Sequence, residues 1–190
     1  MAQTPNVIEL YEAAVQHMLP TLEAIKAEQL TEATPCSEWN VQALINHNIK
    51  TTAFVQGIIR GNNTTDTGDV GGPLPQEGAG EAFGAGAKEV VALLQSISDL
   101  NEVIETPFGP MPIANFVMFP TMDIVVHKWD LAKGTGQNLD MDAGLAEIGV
   151  SVLDMGGELG RQFGLFAPEV DMPLSASIQD KLLAMSGRQP

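Results

Sequence analysis

Apolar residues return at every third or fourth position through several long stretches of the sequence, and that rhythm limits the fold more than any other feature. Val7, Ile8, Tyr11, Val15, Met18, Leu19, Leu22 and Ile25 mark a helix over about residues 5–28, with Thr4-Pro5 as cap and first-turn proline. Val41, Leu44, Ile45, Phe54, Val55, Ile58 and Ile59 predict a second helix, capped by Asn40 and closed by Gly61 in the left-handed conformation. Phe83, Val90, Val91, Leu93, Leu94 and Ile97 predict a third, its first turns weakened by Gly84 and Gly86. Residues 113–133 predict a fourth, stopped by Gly134 and kinked or divided at Pro120, which lacks an N–H and crowds the preceding turn. Residues 142–163 predict a fifth, and Ile178 to Met185 a short last one.

Two segments break the helical rhythm. Residues 102–112 alternate and are then punctuated by proline and glycine, which predicts an extended arm or short hairpin. Residues 61–80 are polar and rich in Gly, Asn, Thr, Asp and Pro, which predicts a loop long enough to serve as a lid. The expected fold class is therefore all-α, a bundle of four long helices with short extra helices and a small arm or hairpin. One domain spans residues 1–190, with 168–190 as a C-terminal tail packing on it.

Charge and cysteine use narrow the function classes. Nine basic against 24 acidic residues give a net charge of −15. That balance repels nucleic-acid phosphates and anionic membranes. A single cysteine, Cys36, allows no internal disulfide and no cysteine-rich metal site, and no signal peptide is recognisable. A reduced, cytoplasmic setting is expected, with a small molecule rather than nucleic acid or membrane as partner. An exposed helical face also offers itself for a homodimer.

The chain holds three histidines, His17, His47 and His127. Asp123 and His127 are four residues apart on one helix, which sets their side-chain roots about 5–6 Å from each other. A divalent ion bound at about 2.0–2.2 Å from each ligand fits such a pair. So does a plain helical hydrogen bond or ion pair. His47 shares its face with Leu44, Thr51 and Phe54 and so points inward or along the core edge. Together the three would leave a fourth coordination position open. His17 has no acidic partner at a useful spacing apart from Glu23 and reads as solvated or packed. Cys36 has a helix N-terminus nearby but no basic neighbour, so packing is expected rather than reactivity. Trp39 and Trp129 read as core-filling residues. Asp130 is placed either to orient His127 or on the helix surface. Arg188 is either a clamp for a substrate carboxylate or a solvated terminal residue.

Three motifs carry a family resemblance. Residues 34–47, TPCSEWNVQALINH, are similar to the TPC-x-x-W-D-V-x-x-L-x-x-H segment of the DinB-like metal-dependent four-helix-bundle proteins, in the branch related to mycothiol-dependent maleylpyruvate isomerase. HKWDLAKGTGQ at 127–137 and ASIQDKLLAMSGRQP at 176–190 resemble two further motifs of that branch. The resemblance implies a DinB-like bundle holding a divalent metal, zinc or nickel, on His47, Asp123 and His127. It implies a transferase or isomerase that works with a low-molecular-weight thiol such as mycothiol. The alternative is a non-catalytic metal- or ligand-binding bundle, a sensor or stress factor. The isomerase acid is usually Glu, so Asp123 is one methylene shorter. The resemblance also implies a separate C-terminal isomerase domain with no counterpart here.

Overall fold

The computed structural model describes residues 6–62, 69–162, 164 and 166–190. Helix α1 spans Val7–Ala24, α2 Val41–Ile59, α3 Ala79–Ser96, α4 Ile113–Thr135, α5 Ala143–Gln162 and α6 Ile178–Met185. A 3-10 turn at Ala27–Gln29 follows α1. Strands β1 (Val103–Ile104) and β2 (Met111–Pro112) form the antiparallel hairpin, pairing Val103 with Pro112 and Ile104 with Met111.

Helices α1 and α2 each pack against α3 and α4, so the four close into a ring with α1 diagonal to α2. The apolar stripes meet inside that ring. Tyr11, Met18, Leu44, Ile45, Phe83, Leu94, Phe116 and Val117 are buried there together. Helix α5 packs on the outer side of α4 and α6 packs on α5. The expected all-α bundle with a hairpin is the fold found. The fifth long helix and α6 are additions to its four-helix ring.

Boundaries follow the capping chemistry. Asn40 caps α2 as expected, its Oδ1 accepting the Ala43 N–H at 2.9 Å, and Gly61 takes a positive φ beyond the other end. At α1 the cap is Asn6, whose Oδ1 accepts from Ile8 and Glu9 while Glu9 accepts the Asn6 N–H, a reciprocal capping box. The expected Thr4-Pro5 start lies outside the described residues.

Two expectations for α4 need correction. Gly134 does not stop it. The helix runs on to Thr135, and Gly136 provides the left-handed C-cap at φ 69°. Gly134 is instead a point of contact: a Cβ there would stand 2.9 Å from the Ala33 carbonyl oxygen. Nor does Pro120 divide α4, which stays one helix with Pro120 buried inside it. The first lost donor costs one backbone bond, and burial of nearly the whole circumference from Thr121 to Ala132 holds the rest in place.

The loop expected at 61–80 gives way to α3 at Ala79. Its residues 63–68 lie outside the described residues. The part leading into α3 is strapped to α2. Asn46 Nδ2 donates to Val70 O at 2.9 Å and to Gly72 O at 2.6 Å, and Gln42 Nε2 donates to Gly72 O at 3.0 Å. Among the described residues, no helix is long and apolar enough to cross a membrane.

Candidate metal centre

Neighbouring helices α2 and α4 bring His47, Asp123 and His127 to one point. Asp123 lies between the two imidazoles. Its Oδ2 is 3.0 Å from His47 Nε2 and its Oδ1 is 3.1 Å from His127 Nε2. The four-residue spacing on α4 accounts for the second contact, and the packing of α2 on α4 for the first. One ligand atom from each of the three residues lies within 4.8 Å of the others. The shorter reach of Asp123 is enough to touch both histidines.

Behind this group lies a second layer of charge. His127 Nδ1 is 3.0 Å from Asp130 Oδ2, three residues further along the helix. Arg188 closes the layer from the tail: Nη2 donates to Asp130 Oδ2 at 2.9 Å, Nε to Oδ1 at 3.3 Å, and Nη1 to the Ser186 carbonyl at 2.8 Å. Asp130 is fully buried, so it orients His127 rather than facing water. The guanidinium fork of Arg188 is committed to Asp130. It is buried rather than the solvated end that the sequence also offered.

The electrostatics bear on what belongs between the imidazoles. Burial opposes ionisation of Asp123, but the His127 charge and hydrogen bonds from both histidines outweigh it and hold the carboxyl far below its usual range. Asp130 is lowered in the same way, against its burial, by the His127 hydrogen bond and charge and by Arg188. Both carboxylates are therefore acceptors only. Asp130 then requires the proton of His127 on Nδ1, and Asp123 faces the Nε2 of the same ring. Two lone pairs cannot point at each other across 3.1 Å, so Nε2 must carry a second proton or share a cation with Asp123. In the metal-free form the proton wins. Burial would lower the His127 pKa, but the Asp123 charge and hydrogen bonds to Asp123 and Asp130 push it up to about 9.

The donor set of two imidazole nitrogens and a carboxylate suits a divalent transition ion. Two carboxylates against one guanidinium also leave one negative charge for such an ion to neutralise. A second grouping, Cys36 with His127 and Asp130, has the same compactness. There Asp130 already carries the Arg188 guanidinium, so an added cation would meet a fixed positive charge. The first grouping fits an ion better.

The turn before α2 forms the rim. Thr34 Oγ1 donates to the carbonyls of Cys36 and Trp39, and the Trp39 N–H donates to Cys36 O at 2.9 Å. Trp39 stacks on His47 with ring centroids 4.4 Å apart, and it leans on His127 at 5.9 Å. Burial pushes the Cys36 thiol up to about 11, with Arg188 opposing and Asp130, Asp123 and Glu38 reinforcing the shift. His17 lies elsewhere, its Nε2 3.3 Å from the Asp140 carbonyl. Trp129 is buried, with Lys133 Nζ 4.3 Å above its ring.

Sequence reasoning missed two connections. The Arg188–Asp130 pair joins residues 58 positions apart, and the Trp39 stack joins a turn to a helix face. The only signal for either was that Trp39 and Arg188 each sat in a motif without an assigned partner.

Residues 11–132 match the model of the mycothiol maleylpyruvate isomerase N-terminal domain family. Two uncharacterized proteins of Mycobacterium tuberculosis strains are each 28% identical over 172 residues, which is 88% of this chain and 89% of the relative. Solved structures of mycothiol-dependent maleylpyruvate isomerase and of its histidine-to-alanine mutant match with TM-scores of 0.62 and 0.63. Each is 14% identical and covers 96% of this chain and 88% of the solved chain. At that identity the likeness is one of fold.

Proposed function

The chain belongs to the mycothiol maleylpyruvate isomerase N-terminal domain family, and from that premise we propose that it holds a divalent ion, zinc or nickel, on His47, Asp123 and His127 for a thiol-dependent transfer or isomerisation. The observation that carries the reading is Asp123 set between two Nε2 atoms while Asp130 holds the opposite nitrogen of His127. Bound there, the ion would lower the pKa of a thiol at an open position and so would supply a thiolate near neutral pH.

The chain's own residues prepare for that chemistry in three ways. Asp130 keeps the proton of His127 on Nδ1, leaving Nε2 as the ligand atom. Arg188 neutralises Asp130, so the buried carboxylate does not pull a proton from elsewhere. Asp123 is the most open of the three ligands, its side chain 29% exposed against 5% for His127, so an incoming thiol approaches from its side. Cys36 stays protonated at neutral pH, which favours an external low-molecular-weight thiol, mycothiol or a relative, over the chain's own.

The test is a turnover assay with maleylpyruvate and mycothiol, using protein stripped by a chelator and then reloaded with zinc or nickel. The reading predicts thiol-dependent turnover in the reloaded protein and its loss on stripping. Fully loaded protein that gives no thiol-dependent turnover on this pair would remove isomerisation of maleylpyruvate as its reaction.

A further inference from the structure

His47 and His127 present the same nitrogen to Asp123, yet their other nitrogens are treated differently. His127 Nδ1 is fixed by Asp130 and, through it, by Arg188. His47 Nδ1 is buried and has no hydrogen-bond partner among the described residues. A ligand imidazole needs something to set the plane of its ring, and a hydrogen bond to the far nitrogen is the usual device. His47 lacks that device.

What does lie against its plane is Trp39, with centroids 4.4 Å apart and planes 28° from parallel. The backbone that carries the indole is itself held. Thr34 Oγ1 donates to the Trp39 carbonyl at 2.8 Å, and the next residue, Asn40, caps the helix that carries His47. We propose that Trp39 is a positioning residue for His47, doing by stacking what Asp130 does for His127 by hydrogen bonding. The inference rests on the reading of His47, Asp123 and His127 as an ion site. A cation on Nε2 makes the imidazole electron-poor and so tightens its stack on the electron-rich indole face. By linkage the stack tightens cation binding by the same factor.

The experiment measures zinc affinity of the unmodified protein, Trp39→Phe and Trp39→Leu by competition with a chromophoric chelator, beside thermal melts of the metal-free proteins. Indole emission is followed during the same titrations. Trp39→Leu is expected to bind zinc about tenfold or more weakly, while Trp39→Phe, which keeps an aromatic face, stays close to the unmodified protein. Zinc is expected to change the emission of the unmodified protein but not of Trp39→Phe, which retains Trp129.

Undiminished affinity in Trp39→Leu overturns the proposal, even if its melt falls, because the residue is then merely structural. So does the absence of a zinc-dependent emission change in unmodified protein that binds zinc. That second criterion holds if Trp39→Leu does not fold. Unmodified protein that takes up no zinc overturns the ion-site reading itself, and the role of Trp39 with it.

Discussion

Asp123 Oδ1 stands 3.1 Å from His127 Nε2 while the opposite nitrogen of that ring is bound to Asp130. One imidazole between two ionised carboxylates must be doubly protonated or must share a cation. Proton and metal therefore compete for a single atom.

That competition sets a pH dependence with two opposite signs. In metal-free protein His127 is pushed up to about 9, against about 6.5 in an unfolded chain. Its charged contacts therefore stabilise the fold fully below about pH 6.5, and the contribution is lost as pH rises through 9. Zinc needs Nε2 bare, so its apparent affinity should climb about tenfold per pH unit across that window and then level off. Calorimetric titration at several pH values measures it. A flat profile would mean that no proton leaves His127 on binding.

Replacing Asp123 probes the bridge. Asp123→Asn keeps the shape but removes the charge that both imidazoles face. Zinc affinity should fall by more than the roughly 10–100-fold typical of a lost outer partner, and the His127 pKa should drop. Asp123→Glu should retain the ion, because the added methylene extends a carboxylate that already touches both rings. Equal affinity in Asp123→Asn would remove Asp123 from the ligand set.

Arg188 is predicted to matter through Asp130. Arg188→Gln leaves a fully buried carboxylate without its guanidinium, a loss of about 3–5 kcal/mol for a broken buried pair. Urea unfolding of Arg188→Gln, Asp130→Asn and the double variant checks this. The double variant should lose less than the sum of the singles, since no uncompensated charge remains. Strict additivity would show that the pair is not coupled.

Gly134→Ala should destabilise the protein despite the better helix propensity of alanine, worth about 1 kcal/mol. The new Cβ would meet the Ala33 carbonyl oxygen at 2.9 Å, and backbone cannot rotate aside as a side chain can. A net loss of about 1–3 kcal/mol is expected, with weaker zinc binding because the displaced turn carries Trp39. An unchanged or higher melting temperature would show that the turn yields freely.

Much of this was legible in the sequence for identifiable reasons. Asn40 announced α2, the proline and glycine punctuation announced the hairpin, and the spacing of Asp123 and His127 put both on one face of α4. Gly134 misled because glycine serves two purposes. A helix stop requires a left-handed residue, which Gly136 supplies, whereas Gly134 is there to let a backbone carbonyl approach. At Pro120 local chemistry allowed a kink or a division, and burial on every side kept α4 undivided. Asp130 was open between two roles until its burial decided, and the commitment of Arg188 to Asp130 depends on how the tail returns to α4, which no periodicity encodes.

The measurement closest to the central claim is elemental analysis of the protein purified from metal-replete medium, beside His47→Ala. One zinc or nickel ion per chain in the unmodified protein and its loss from His47→Ala is the predicted result. A stoichiometric ion retained by His47→Ala, or no ion in the unmodified protein, would contradict the three-ligand site.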